Sequence, residues 1–154
     1  MRKIGFIPAR MGSSRFPGKV LHNILGKTML QRVFEGCQTE LLDTIYITSC
    51  DQVVIEHAQE LGASVINTSP KHTRCLDRVA EAYDKLDTKF ENDLIFCIQG
   101  DEPLIDKNLI DYFIIEHSKF NYEFSVSAVN IHSEPEFLDP DIVKIIWNES
   151  NKMV

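Results

Sequence analysis

No stretch of this sequence approaches the roughly 18 consecutive apolar residues that a membrane-crossing helix needs. Its start, Met1-Arg2-Lys3-Ile4, runs directly into an Ile/Phe strand pattern, with no apolar leader core. Membrane insertion and secretion are therefore not expected. Cysteines are few: Cys37, Cys50, Cys75 and Cys97 stand 13, 25 and 22 positions apart, with no C-x-x-C and no histidine at ligand spacing. Such spacing excludes a zinc ribbon and a disulfide framework and suits a reducing cytoplasm. No G-x-S-x-G surrounds Ser13 or Ser14, so acyl transfer is not supported. The five histidines form no H-x-x-x-H pair. Cys37 and Cys97 fit core packing, and Cys50, after a strand, is a candidate thiol.

Acidic side chains are also missing from one end. Residues 1–34 carry seven basic side chains and no acid, whereas the remainder carries nine basic against 23 acidic ones. An acidic body does not offer the broad basic face that long nucleic acid requires. A small cationic patch on it suits a compact anion such as a nucleoside triphosphate. The 154 residues, 44% apolar and 25% charged, have ordinary globular composition. No repeat, linker or low-complexity stretch marks an internal boundary, so one domain over 1–154 is expected.

Strand and helix patterns alternate along the chain. Lys3–Pro8 reads as a buried strand. Thr28, with Gln31 three residues on, opens a helix whose Met29, Leu30, Val33, Phe34 and Cys37 share a face. Thr44–Ser49 reads as a strand, and Asp51 is positioned to cap a helix that Gly62 stops. Ser64–Asn67 is a short strand. Leu76, Val79, Ala80 and Tyr83 predict an inward helix face over Cys75–Leu86. Leu94–Ile98 predicts a central strand covered on both faces. Asp106 is placed to cap a helix turning Leu109, Ile110, Phe113 and Ile114 inward. Phe124–Asn130 and Ile142–Trp147 read as two later strands. This alternation predicts an α/β fold in three layers, a mostly parallel sheet with helices on both faces. Ligands of such sheets sit at the carboxyl ends of the strands.

The loop after the first strand, Pro8-Ala9-Arg10-Met11-Gly12-Ser13-Ser14-Arg15-Phe16-Pro17-Gly18-Lys19, is dense in glycine, hydroxyls and cations. Glycines let backbone N–H groups approach an anion, and Arg and Lys neutralise phosphate oxygens. It is neither a Walker A loop, because five residues separate its glycines and Val20 follows Lys19, nor a G-x-G-x-x-G fingerprint.

Ile7-Pro8-Ala9-Arg10 with Ser14-Arg15-Phe16-Pro17-Gly18-Lys19 resembles the phosphate-binding signature of sugar nucleotidyltransferases. More narrowly, it is similar to that of the 3-deoxy-manno-octulosonate cytidylyltransferase (CMP-Kdo synthetase) family. Gln99-Gly100-Asp101-Glu102-Pro103 stands as that family has it, and Asp77-Arg78-Val79-Ala80-Glu81-Ala82 and Asp139-Pro140 to Ile146 also match. The resemblance implies a Rossmann-like nucleotidyltransferase sheet, of which 1–154 is the nucleotide-binding part. It implies that Arg10 and Lys19 bind the triphosphate with Arg15 assisting, that Pro8 and Ala9 face the base and ribose, and that Gln99 contacts the nucleotide. It makes Arg10, Lys19 and Asp101 catalytic and gives Asp101 a Mg²⁺ ion. Physics agrees on Asp101, since Mg²⁺ is commonly held by one or two carboxylates plus phosphate oxygens. Glu102 is open to two readings, a second metal ligand or a turn former.

By the same resemblance, the reaction is Mg²⁺-dependent cytidylyl transfer from CTP to a small acidic sugar, releasing pyrophosphate and giving a precursor for cell-surface lipopolysaccharide. Two features depart from the pattern. Thr73-Arg74-Cys75-Leu76 replaces a Ser-Gly-Thr type stretch that reaches the base, making Arg74 a candidate nucleotide contact. Cys75-Leu76-Asp77-Arg78 and Leu104-Ile105-Asp106 resemble the spore-coat polysaccharide type of nucleotidyltransferase. The chain also stops at Val154, where family members continue with sugar-acid, second-metal and dimer residues, so it reads as C-terminally shortened, with a homodimer expected only of a full-length chain. The alternatives are a nucleotidyltransferase for another sugar acid or a phosphonate, and a non-catalytic nucleotide-binding relative.

Overall fold

Lys3–Pro8 forms strand β1 in the computed structural model, which describes residues 1–13, 15–120 and 123–145. Its side chains alternate between two layers, Ile4 and Phe6 on one face and Ile7 on the other, all essentially sealed from solvent. A 3-10 turn at Lys19–Leu21 follows, then a two-residue hairpin of β2 (Asn23–Ile24) and β3 (Lys27–Thr28). Leu25 and Gly26 both have positive φ, the backbone that such tight hairpins require. Arg32 reaches back to the carbonyls of Ile24 and Leu25 and pins the hairpin to α1 (Met29–Gly36). The Thr28 hydroxyl accepts from the Gln31 N–H at 3.1 Å, the expected cap of α1.

Next come β4 (Thr44–Ser49), α2 (Gln52–Glu60), β5 (Ser64–Asn67), α3 (Cys75–Asp84), β6 (Leu94–Cys97) and α4 (Lys107–Lys119). The strand order is β5-β4-β1-β6, every pair parallel. Leu30 and Val33 of α1, Val54 and Ala58 of α2 and Ile110 and Ile114 of α4 pack with Ile7 and Ile47 on one face of the sheet. Val79 and Ala82 of α3 pack with Ile4 and Phe6 on the other. This is the expected three-layer α/β architecture. The order reverses at β1: the chain builds outward through β4 and β5, then crosses back to add β6 on the far side. A crevice opens at the carboxyl ends where neighbouring crossovers diverge.

Several expectations are corrected. Leu94–Ile98 is apolar because both its faces are covered, Ile95 and Cys97 by one layer and Phe96 and Ile98 by the other. Yet among the described strands β6 lies at the sheet edge, not in the centre. Helix α3 ends at Asp84 and turns Arg78, Val79 and Ala82 inward, leaving Leu76 and Ala80 exposed. Leu109 of α4 is likewise exposed. Asp51 makes no side-chain cap on α2, because its carboxylate is committed to a different backbone N–H. None of the described residues forms a helix long and apolar enough to cross a membrane.

Residues Met1–Ser118 make one compact unit and Lys119–Val154 a second. Within the second, α5 (Glu134–Leu138) is capped by Ser133, which accepts from the Glu136 N–H at 3.4 Å. Phe124–Asn130 forms no strand, and neither do residues 142–145. The described residues of this unit supply no neighbouring strand for their backbone groups to pair with. Ile146 and Trp147, the rest of the second expected strand, lie outside the described residues.

At the amino-terminal end of the sheet, Arg2 clasps Asp93. The guanidinium pairs with both carboxylate oxygens, Nε to Oδ1 at 3.1 Å, and also donates to the Thr88 carbonyl at 2.8 Å. The Tyr83 hydroxyl and the Phe90 N–H donate to the same Asp93 carboxylate at 3.0 and 3.1 Å. The Arg2 guanidinium beside it holds the Asp93 carboxyl well below the ordinary carboxylate range, the two neutral donors helping.

Two predictions follow from these contacts. A Cβ on Gly36 would stand 2.2 Å from the Ile105 carbonyl oxygen, a backbone atom that cannot swing aside. Gly36→Ala should therefore destabilise the fold by about 1–3 kcal/mol in chemical denaturation, and an unchanged midpoint would refute the close approach. Because the Asp93 pKa is depressed on folding, its stabilisation is complete above the ordinary value of 3.8 and is lost as pH falls below it. Asp93→Asn should be less stable at neutral pH and show a flatter acid limb, measured as denaturation midpoints against pH.

Candidate functional site

The loop leaving β1 is folded back on itself. Ala9 extends the β1–β4 pairing with an N–H to the Thr48 carbonyl at 2.9 Å. The Gly18 N–H then closes the loop on the Met11 carbonyl at 2.9 Å, with Gly18 at a φ of 73° that favours glycine. The Met11 N–H donates to Asp51 Oδ2 at 2.7 Å. This is the contact that takes Asp51 away from capping α2. It anchors a cation-rich loop to the neighbouring strand–helix junction by a charge-assisted bond.

The loop leaving β6 comes very close to the first one. A Cβ on Gly100 would meet the Pro8 carbonyl oxygen at 2.7 Å, so only glycine fits there without displacing backbone. That approach sets Asp101 against the β1 loop, where its carboxylate forms an ion pair with the Lys19 ammonium. Glu102 donates its N–H to the Gln99 carbonyl at 3.3 Å in a turn and is absent from the cleft lining. The turn reading of Glu102 is the one this geometry favours.

A third loop, 68–74, is fixed by Glu81 of α3. Its carboxylate accepts from the Ser69 N–H at 2.8 Å, from Lys85 Nζ at 2.7 Å and from His72 Nε2. Lys85, then the Ser69 N–H, then His72, bring the Glu81 carboxyl down to about 2, so it is ionised at neutral pH. His72 is thereby held by a structural carboxylate.

These loops surround a cleft of about 270 Å³ at the carboxyl ends of β1 and β6, near the lower end of small-molecule sites. Every site residue expected from the sequence lines it: Pro8, Ala9, Arg10, Arg15 and Lys19 from the first loop, Arg74 from the third, and Gln99 and Asp101 from the second. Among the described residues, five cations face it, Arg10, Arg15, Lys19, Arg74 and Arg78, against the single carboxylate of Asp101. Such a cleft favours a compact, highly charged anion.

Arg78 is the residue that sequence spacing missed. It is 3% exposed, and its guanidinium donates to Thr68 Oγ1 and, at 3.6 Å, to Cys50 Sγ, neither of them a carboxylate. A buried guanidinium is ordinarily paired with a carboxylate, so this one leaves positive charge at the cleft wall. Its signal was the sequence Asp77-Arg78 on a helix whose other inward positions are apolar. Among the described residues, no three His, Cys, Asp or Glu side chains gather as a metal-holding cluster.

The sequence pattern of the family described as cytidylyltransferase matches residues 4–153. The chain is 36% identical to a 3-deoxy-manno-octulosonate cytidylyltransferase of Thermodesulfovibrio yellowstonii, over 97% of this chain and 61% of that protein. It is 38% identical to an 8-amino-3,8-dideoxy-manno-octulosonate cytidylyltransferase of Shewanella woodyi, over 94% of this chain and 60% of that one. The chain thus spans about three fifths of the length of the curated relatives it matches. Its fold superposes on CMP:2-keto-3-deoxy-manno-octonic acid synthetase complexed with CTP, with a TM-score of 0.81, 27% identity, and coverage of 100% of this chain and 63% of that one. The glycine- and cation-rich loop, the reversal of strand order beside it and the sequence match agree: this chain belongs to the cytidylyltransferase family.

Proposed function

We propose that residues 1–154 are the nucleotide-binding part of a single nucleotidyltransferase domain that transfers a cytidylyl group from CTP to a 3-deoxy-manno-octulosonate-like sugar acid in the cytoplasm. The observation that carries this reading is the convergence of every candidate residue on one cationic cleft at the point where strand order reverses. The CTP complex of a structural neighbour and the names of the curated relatives support it. Those relatives differ in the sugar acid they are named for, so the acceptor is proposed only as a class.

In this reading the acceptor hydroxyl attacks the α-phosphorus of CTP and pyrophosphate leaves. Arg10 and Lys19, with Arg15, neutralise the charge that builds on the departing phosphates. The backbone of Pro8 and Ala9 faces the base and ribose, Gln99 contacts the nucleotide, and Arg74 supplies a charged contact. Among the described residues, the cleft holds one carboxylate, Asp101, and one imidazole, His72, which Glu81 already engages. Positioning and charge neutralisation are therefore what these residues contribute to the transfer.

The donor set fits a magnesium ion. One carboxylate open to the cleft, its side chain 38% exposed, is a typical protein contribution to a site completed by phosphate oxygens and water. Asp101 would hold Mg²⁺, which supplies charge neutralisation at the phosphates when bound. Lys19 occupies the Asp101 carboxylate here, so nucleotide phosphates and the carboxylate compete for one ammonium.

Two variants test the reading. Lys19→Ala should weaken CTP binding by ~1.5–3 kcal/mol, the usual size of a charge-assisted hydrogen bond, while CMP binding changes little. Equal losses for the two nucleotides would remove Lys19 from the outer phosphates. Asp101→Asn should stay folded and bind metal-free CTP as well as or better than the parent, while losing the magnesium-dependent gain in affinity. Calorimetric titrations with and without Mg²⁺ read this directly, and a full magnesium effect in the variant would take the metal away from Asp101.

A further inference from the structure

At the cleft wall begins a pair of side chains that cytidylyl transfer leaves unused. Cys75 is the first residue of α3 and Cys97 the last of β6. Their thiols are close enough to act on each other. The side-chain amide of Gln99 lies beside both sulfurs, 3.5 Å from Cys75 Sγ and 4.0 Å from Cys97 Sγ. Both cysteines are half-buried, and Cys75 lines the cleft. The other two thiols are placed differently. Cys37 is sealed in the core, and Cys50 accepts from the Arg78 guanidinium at 3.6 Å.

We propose that Cys75, at the cleft wall, and Cys97, beside it, form a redox-active dithiol, which a hydroperoxide converts to an intramolecular disulfide. Access and packing assign the order of events. Cys75, open to the cleft, meets the oxidant first. Its sulfur attacks one oxygen of the hydroperoxide, the O–O bond breaks, and the alcohol or water departs with the thiol proton, leaving a Cys75 sulfenic acid. The Cys97 sulfur then attacks the Cys75 sulfur. The S–S bond forms, the S–O bond breaks, and the hydroxyl leaves as water with the Cys97 proton. The two thiols have lost two electrons, which the O–O bond has gained, and a small dithiol reverses the change by exchange. Burial and the neighbouring Cys75 push the Cys97 thiol up to about 12, which disfavours its thiolate and keeps Cys97 from being the sulfur that meets the oxidant first. The proposal does not rest on the nucleotide assignment, because the oxidation is read without CTP.

The test treats the folded 154-residue chain with hydrogen peroxide, alkylates the remaining thiols and maps the peptides by mass spectrometry. The four free thiols should fall to two, with Cys75 and Cys97 peptides linked until a dithiol reductant separates them, and with an unchanged circular dichroism spectrum. Cys97→Ser should stop at the sulfenic acid, which dimedone then labels at Cys75, and Cys97→Ala serves the same purpose if the serine variant does not fold. Cys75→Ser should give neither the link nor a dimedone adduct at Cys97. The proposal is overturned if the folded parent keeps Cys75 and Cys97 as free thiols. It is equally overturned if Cys75 links to Cys50, or if dimedone leaves Cys75 unlabelled in a folded Cys97 variant.

Discussion

The parallel pairing of β1 with a neighbour on each side is the constraint from which the rest is built. Because β4 and β6 both run in the same direction as β1, all three strands deliver their following loops to one edge of the sheet. Parallel neighbours also demand crossover connections, and here α3 lies on one face of the sheet and α1, α2 and α4 on the other. The chain leaves β1 toward β4 on one side while β6 is added on the other, and the cleft opens between the loops that follow β1 and β6. Gly100 then sets how closely the loops may lie, since any side chain there would strike the backbone of Pro8.

Held this way, charges that would repel are stored close together. The β1 loop carries its cations on a backbone closed by Gly18 and fastened to Asp51. The loop 68–74 is fastened in turn by Glu81, so each cation-bearing segment is tied down by a carboxylate that does not itself face the cleft. Anchoring by acids at the rear leaves the front of the site basic. The acidic body and the basic patch seen in the composition are thus two parts of one arrangement.

What could be read from the sequence was whatever depends on local pattern or on residue type at fixed spacing. Strands β1, β4 and β5 and helices α1 and α2 follow from hydrophobic periodicity and turn chemistry, and the cleft residues follow from two short motifs at the ends of β1 and β6. What escaped depends on distant partners. The apolar run at Leu94 showed burial on both faces but could not show position in the sheet. The rotation of α3, which turns Arg78 inward and Leu76 out, is set by how the helix seats over Ile4 and Phe6. Asp51 sits where a cap belongs and was read as one, yet a loop 40 residues earlier in the chain claims its carboxylate. The strand pattern of Phe124–Asn130 is present without a described strand to pair with it.

Arg78 has one more consequence. Burying a guanidinium against a hydroxyl and a cysteine sulfur leaves an electrostatic debt in the folded state, since neither partner is a carboxylate. An anion entering the cleft brings the missing negative charge, so part of the work of folding the cationic wall is returned at the moment of binding. Binding of an anion there would therefore be thermodynamically linked to folding: the wall would be most comfortable in the loaded state.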